Sequence, residues 1–252
     1  NDGYFKTKIS SSEKVRKHTV KLHHEVQVDS PRELVSKNVY PFDSSALMRK
    51  IYVLRPKALV QAGDPYHLED LAAERQRLTD TLRNYGWYYF SADDLVFEAD
   101  TLHPRGDLNL TLRVKPGVGE QERKQYRIGS VTVFPDYDLS KQTGADQRRM
   151  DTLSFGCVRY VYQNMPVKPE VLNTKIFLRC GQYYSNRRYQ GTIYRLLNLN
   201  VYKFINIRFE PSATADSLLD ANIYLTPFRP EKIEATLSGV FSPSFYYGLR
   251  AG

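Results

Sequence analysis

Between Leu68 and Tyr85 the apolar residues are Leu68, Leu71, Ala72, Leu78, Leu82 and Tyr85. They are separated by three, four or sums of these, which is the stripe of an amphipathic helix, and the polar residues are expected on the opposite side. Glu69, Asp70 and Glu74 load the first turns and Arg75, Arg77 and Arg83 the later ones, the order that a helix dipole favours. Gly86 can then take the left-handed conformation that closes a helix. The aromatic run Trp87-Tyr88-Tyr89-Phe90 favours a strand, expected to continue through Val96 and Phe97.

On either side the period changes from helical spacing to alternation. Val20, Leu22, His24, Val26 and Val28 share one face and Lys21, His23, Glu25 and Gln27 the other, so this segment predicts a half-buried strand paired, after a break at Ser10-Ser11-Ser12, with residues 3–9 as a hairpin. Residues 31–42 predict a new first strand. Asp43-Ser44-Ser45 is a helix-start signal, Ala46, Leu47, Ile51 and Leu54 give that helix a short apolar face, and Pro56 stops it. After a turn at 103–107, Leu108, Leu110, Leu112 and Val114 alternate with Asn109, Thr111 and Arg113 as a last strand. The predicted order is strand, helix, helix, strand, strand.

Pro116-Gly117-Val118-Gly119-Glu120 reads as a linker, because its glycines lack the helix and lysine of a phosphate loop. Beyond it the pattern recurs. Residues 125–134 repeat the first strand, an insertion at about 135–165 carries an extra strand at 157–162, and 169–177 repeat the short helix. Gly181-Gln182-Tyr183-Tyr184 then stands where Gly63-Asp64-Pro65-Tyr66 stood, and a helix bearing Tyr189, Ile193, Leu196 and Leu197 stands where 68–82 did. Residues 198–204 repeat 84–90, a strand follows at 205–209, and 220–226 repeat 108–114. One unit is written about two and a third times, the signature of an array. The predicted units are 1–29, a hairpin; 30–118, complete; 124–228, complete with its insertion; and a tail at 229–252.

The run Gly63-Asp64-Pro65-Tyr66, an arginine-bearing helix, and Arg83-Asn84-Tyr85-Gly86-Trp87-Tyr88-Tyr89-Phe90 resembles the second helix and second strand of a POTRA domain. Such domains form the periplasmic part of the outer-membrane protein assembly and translocation family, the BamA and TamA group, and the resemblance is nearest its TamA-like branch. It implies an α+β class of tandem POTRA domains, each a three-stranded mixed sheet with two helices on one face. Residues 1–29 would be the last two strands of a domain whose earlier part is missing. Residues 229–252 would be the start of a membrane β-barrel, with room for two strands of about ten residues where the smallest such barrels use eight. Phe241-Ser242-Pro243-Ser244-Phe245-Tyr246-Tyr247 departs from the glycine- and asparagine-rich first strand expected there.

In this family the second strand is the usual docking edge for extended peptides. Carried over, that edge is Tyr88, Phe90, Leu95, Val96 and Phe97 in one unit and Val201, Phe204, Ile205, Ile207 and Phe209 in the next. Gly63, Tyr66, Leu71, Leu78, Leu82, Gly86, Gly181 and Tyr184 are structural positions. The implied setting is the periplasmic face of the outer membrane of a Gram-negative-type bacterium. The implied partners are unfolded outer-membrane proteins or a periplasmic or inner-membrane accessory protein, together with the chain's own barrel.

Composition changes this picture little. The chain has 252 residues, enough for two or three small domains, and no run approaches the roughly 18 to 20 apolar residues of a membrane helix. Asn1-Asp2-Gly3-Tyr4-Phe5 reads as the interior of a domain, so no leader is expected. The net charge of +8 permits nucleic acid, but bases and acids interleave, and Arg148-Arg149 and Arg187-Arg188 read as solvated surface. No nucleic-acid partner is expected. Cys157 and Cys180 form neither a CxxC motif nor a metal-ligand set; in a periplasmic setting a disulfide between them is chemically allowed, and their spacing does not decide it. His23 and His24 point to opposite faces of a strand and cannot chelate one ion. Asp93-Asp94 reads as a turn or strand cap and Trp87-Tyr88-Tyr89 as core and sheet surface. No catalytic motif, cofactor, metal or small-molecule substrate is expected. Alternatives to the assembly reading are a two-partner-secretion type transporter, a structural spacer array and a basic nucleic-acid-binding module.

Overall fold

The computed structural model describes residues 7–17, 19–27, 34–100, 108–138 and 150–228, together with the backbone of 237–241 and 247–251. The first hairpin forms, but its first strand runs beyond the expected end at Ile9: β1 (Lys8–Arg16) passes through Ser10-Ser11-Ser12 and lies antiparallel to β2 (Thr19–Gln27), with Ile9 opposite Val26 and Val15 opposite Val20. The half-burial expected of β2 is corrected too: these apolar residues are exposed, since among the described residues no further element packs on either face of the hairpin. Val28 and residues 1–6 lie outside the described residues.

The next unit comprises β3 (Val35–Val39), α1 (Ala46–Leu54), α2 (Leu68–Arg83), β4 (Leu95–Asp100) and β5 (Leu108–Val114). The last strand lies in the middle: β5 is parallel to β3 and antiparallel to β4. Ser45 caps α1, its hydroxyl accepting from the Met48 N–H, and Leu47 and Ile51 are buried as their spacing predicts. Leu71, Leu78 and Leu82 of α2 pack with Trp87, Phe90, Leu95 and the alternating leucines of β5 in two adjoining clusters.

Two expectations are corrected here. Leu68 and Tyr85, the ends of the predicted stripe, are exposed, while Glu74 is completely buried instead of lying on the polar side. The buried face runs Leu71, Glu74, Leu78, Leu82, and at Glu74 it meets donors rather than apolar side chains. The Tyr40 hydroxyl donates to Glu74 Oε1 (2.7 Å), the Leu59 N–H to Oε2 (3.1 Å), and Arg77 to both oxygens (2.7 Å each). A carboxylate bonded on both oxygens tolerates burial that would otherwise cost several kcal/mol. Burial and the hydrogen bond to Glu74 together raise the Tyr40 pKa above its ordinary value.

The second correction concerns the strand predicted from Trp87. Only Leu95–Asp100 is strand. Trp87 and Phe90 turn into the core, and a 3₁₀ turn at Ala92–Asp94 is closed by the reciprocal bonds of Ser91 with Asp94. Asp94 is thus the cap that its position predicted.

After the short α3 (Glu120–Arg123), the next unit repeats this plan with β6 (Arg127–Phe134), α4 (Pro169–Lys175), α5 (Asn186–Leu197), β9 (Tyr202–Pro211) and β10 (Leu218–Pro227). Again the last strand is central, β10 being parallel to β6 and antiparallel to β9. The repeat extends to backbone conformation. Gly63 and Gly181 both have positive φ (95° and 78°), as do Gly86 and its counterpart Asn200 (104° and 52°).

The insertion supplies a hairpin rather than a single strand: β7 (Asp151–Phe155) turns at Gly156 into β8 (Val158–Tyr162), and β8 lies parallel to β6. The sheet order becomes β7-β8-β6-β10-β9. Cys157 and Cys180 form a disulfide across a Cα separation of 6.1 Å, fastening the turn of the hairpin to the segment before α5. In the tail, β11 (Leu237–Phe241) pairs with β12 (Tyr247–Ala251); the tail's expected start at 229–236 lies outside the described residues.

Candidate functional site

The residues with a docking role in view belong to sheet edges. β4 is an edge of the three-stranded sheet and β9 an edge of the five-stranded one. In an antiparallel pair each strand bonds its neighbour through alternate residues, so an edge strand turns the remaining N–H and C=O groups outward. Leu95, Val96 and Phe97 lie on β4, Leu95 fully buried and the other two half-buried. Phe204, Ile205, Ile207 and Phe209 lie on β9: Phe204 is exposed, Ile207 buried, and Ile205 and Phe209 pack in part against the core. Val201 precedes β9, and its carbonyl accepts from the Phe228 N–H.

Tyr88 and Phe90 are not on an edge. Phe90 is core, and Tyr88 belongs to a joint between the two units that sequence reasoning missed. Gly86, left-handed after α2, presents its carbonyl to the Tyr126 N–H (2.8 Å), and Trp87 Nε1 donates to the Arg123 carbonyl (3.1 Å). The Gln125 amide donates to the Tyr85 carbonyl (2.8 Å). Asn84 Oδ1 accepts from the Arg187 N–H (2.7 Å) and the Ser185 hydroxyl (3.2 Å), so a residue at the end of α2 caps the start of α5 in the next unit.

Beside these bonds lies an aromatic cluster. Tyr88 meets Tyr184 and Phe209 with ring centroids 4.8 and 5.4 Å apart, Tyr89 meets Tyr126 at 5.2 Å, and Tyr184 meets Phe209 at 5.2 Å. All but the tilted Tyr88–Phe209 pair are edge-to-face, and such contacts add to the burial of the rings. Burial pushes the Tyr184 phenol up to about 12, with Arg83 opposing, and raises those of Tyr88 and Tyr126. The signal that could have revealed the joint was the run of four aromatics immediately after Gly86, more than one small sheet needs for its own core.

Other candidate chemistry stays apart. Among the described residues no group of three or more His, Cys, Asp or Glu is placed to hold a metal ion, and no helix is long and apolar enough to cross a membrane. His24 pairs with the Ser11 hydroxyl across the first hairpin. Gly63, Tyr66, Gly181 and Tyr184 sit at the repeated turn before each long helix. There Gly63 N–H donates to the Val35 carbonyl and Gly181 N–H to that of Ile128, tying each turn to the first strand of its unit.

Strand, helix, helix, strand, strand, with the last strand central and both helices on one face, is therefore found twice. Each complete unit has the POTRA fold. No family model matches the chain, and no curated protein matches it. Among solved structures it is similar to BamA POTRA3-5 of Haemophilus influenzae, at 14% identity over 90% of this chain and 74% of that one, with a TM-score of 0.48. It is also similar to BamA from Haemophilus ducreyi lacking POTRA domains 1-3, at 11% identity over 82% of this chain and 30% of that one, with a TM-score of 0.49. A third likeness is the N-terminal domain of Omp85 from the thermophilic cyanobacterium Thermosynechococcus elongatus, at 13% identity, covering 91% and 79% of the two chains with a TM-score of 0.35. These likenesses are remote, the fold rests on the strand order, and none of them singles out the TamA-like branch.

Proposed function

We propose that this chain is a periplasmic docking region of an outer-membrane β-barrel assembly or translocation factor, and that it receives extended segments of unfolded clients by adding them as strands to β4 and β9. The observation that carries the reading is the position of β4 and β9, each at an edge of its sheet and each in the place of the second strand of its repeat, after a long helix closed by a left-handed residue, Gly86 or Asn200. Pairing through the main chain is indifferent to side-chain identity, which suits a receiver of many clients. Two weak edges on one linked array raise the effective concentration for a long client. With no nucleotide site in the reading, the driving force is the client's own folding and burial in the bilayer. Its further partners are a periplasmic or inner-membrane accessory protein and its own barrel.

Phe97→Pro is expected to lower binding of an unfolded outer-membrane protein by tenfold or more, with far-UV circular dichroism unchanged. The Lys115 N–H donates to the Asp94 carbonyl, which puts Val96 and Glu98 on the parity bonded to β5 and leaves the Phe97 N–H facing outward, so proline there removes an edge donor. If that variant unfolds the unit, Ala99→Pro removes the next outward donor. Unchanged binding by a folded variant of either kind sinks the reading for β4.

The joint favours a second reading, a spacer that fixes the distance and angle between a barrel and a partner. Loss of function on removal of one unit, with edge substitutions silent, distinguishes it.

A further inference from the structure

The inserted hairpin changes which backbone the second unit offers. In the first unit the opening strand β3 is an edge; in the second, β8 covers its counterpart β6 and the outermost strand becomes β7. Among the described residues nothing lies on the outer side of β7, and all five of its residues are exposed. Exposed edges are commonly blunted by lysine, other charges or proline. β9, at the far edge of the same sheet, carries Lys203, Arg208, Glu210 and Pro211, and β3 carries Lys37, whereas Asp151-Thr152-Leu153-Ser154-Phe155 has no lysine, arginine or proline and a single charge, Asp151, at its first position.

The rows of the sheet show what would fit beside it. Phe209, Ala221, Val131, Val158 and Phe155 lie side by side across the five strands, and so do Ile207, Ile223, Val133, Tyr160 and Leu153. Both rows are core until they reach β7, where Leu153 is 38% and Phe155 42% exposed. The row between them, Arg208, Asn222, Thr132, Arg159 and Ser154, faces the other way and is polar. Near its β7 end Arg159 is exposed and bonded to the Thr132 hydroxyl, with no carboxylate partner among the described residues. The Cys157–Cys180 disulfide holds the turn of the hairpin, next to Phe155, in place.

We propose that β7 is a further docking edge, and that its occupant is an extended client segment alternating apolar and polar residues, with an acidic residue on the polar face beside Ser154 and Arg159. Such a segment would complete the two unfinished apolar rows on one face and give Arg159 a counter-charge on the other. The inference rests on the strand-receiving reading above and adds a third edge to it.

The test uses a fluorescent ten-residue peptide that alternates leucine or valine with threonine and carries one glutamate among the threonines. Its binding is measured on the full chain with β4 and β9 blocked by Phe97→Pro and Ile205→Pro, the fold being checked by circular dichroism. Residual binding is expected, and it should fall at least tenfold when Ser154→Pro is added, or Leu153→Pro where the first variant does not fold. Exchanging the glutamate for lysine should weaken binding several-fold, and Arg159→Glu should reverse that preference. If the unblocked chain binds the peptide and the blocked chain does not, the β7 proposal is overturned while the β4 and β9 reading stands. If the unblocked chain does not bind it either, both fall. Dimerisation of the chain that Ser154→Pro abolishes would overturn the client as occupant and assign the edge to a second copy.

Discussion

Glu74→Ala is expected to destabilise its unit by about 3–5 kcal/mol, the range for removing one partner of a buried, hydrogen-bonded charge pair. The carboxylate is fully buried and takes four donors from three places in the chain: Tyr40 after β3, Leu59 after α1 and Arg77 on α2 itself. Removing it leaves the Tyr40 hydroxyl and the Leu59 N–H without an acceptor and opens a cavity between the helices. Arg77 loses less, because it is partly exposed and also reaches the Leu54 carbonyl. Glu74→Gln keeps the volume and one carbonyl acceptor but turns an amide N–H₂ toward donors, so an intermediate loss is expected. Urea denaturation of the full chain measures both. A loss below 1 kcal/mol for Glu74→Ala would show that the network does not hold α1, α2 and β3 together.

The second large effect is expected at the joint. Gly86 has φ +104°, and a Cβ built there would lie 2.9 Å from a Tyr183 ring carbon and 3.2 Å from the Tyr126 carbonyl oxygen, both in the following unit. Gly86→Ala therefore combines backbone strain with a collision across the joint, at a cost of about 1–3 kcal/mol. Gly63→Ala is the control. Gly63 has φ +95° but nothing within 4 Å of the added carbon, so only the backbone strain of about 1–2 kcal/mol remains. The two variants should differ most in coupling between units. Spin-label distances between the units should broaden in Gly86→Ala and keep the parent distribution in Gly63→Ala. Identical distributions in the two variants would contradict a joint built on Gly86.

How much of this was legible in the sequence varies with the physics involved. The repeat was legible because two independent signals recur together, the glycine turn before each long helix and the alternating last strand. The mixed sheet was implied by the POTRA resemblance, but the parallel pairing of first and last strands was not read from the sequence, because pairing depends on contacts between strands distant in the chain. Glu74 was misread because amphipathic spacing assigns a charged residue to solvent, and its donors Tyr40 and Leu59 are distant in the chain. Trp87 to Phe90 was misread as strand because aromatic residues favour strands, and propensity does not register that these four side chains serve two cores and a joint. The edges were better placed than the residues upon them. Leu95 to Phe97 and Phe204 to Phe209 do lie on edge strands, whereas Tyr88, Phe90 and Val201 do not. The insertion's extra strand was recognised but not its partner β7, since five residues with one acid and two hydroxyls carry little strand signal of their own.

The most direct test of the account is a site-specific photocrosslinking scan along β4 and β9 in cells carrying the full-length protein. Crosslinks to nascent outer-membrane proteins at alternate positions of Leu95–Asp100 and Tyr202–Pro211 are the expected result, since an added strand meets an edge with period two. Crosslinks confined to one fixed partner, or to no client at any position of either strand, would contradict a strand-receiving function and leave the joint and its spacing as the purpose of the array.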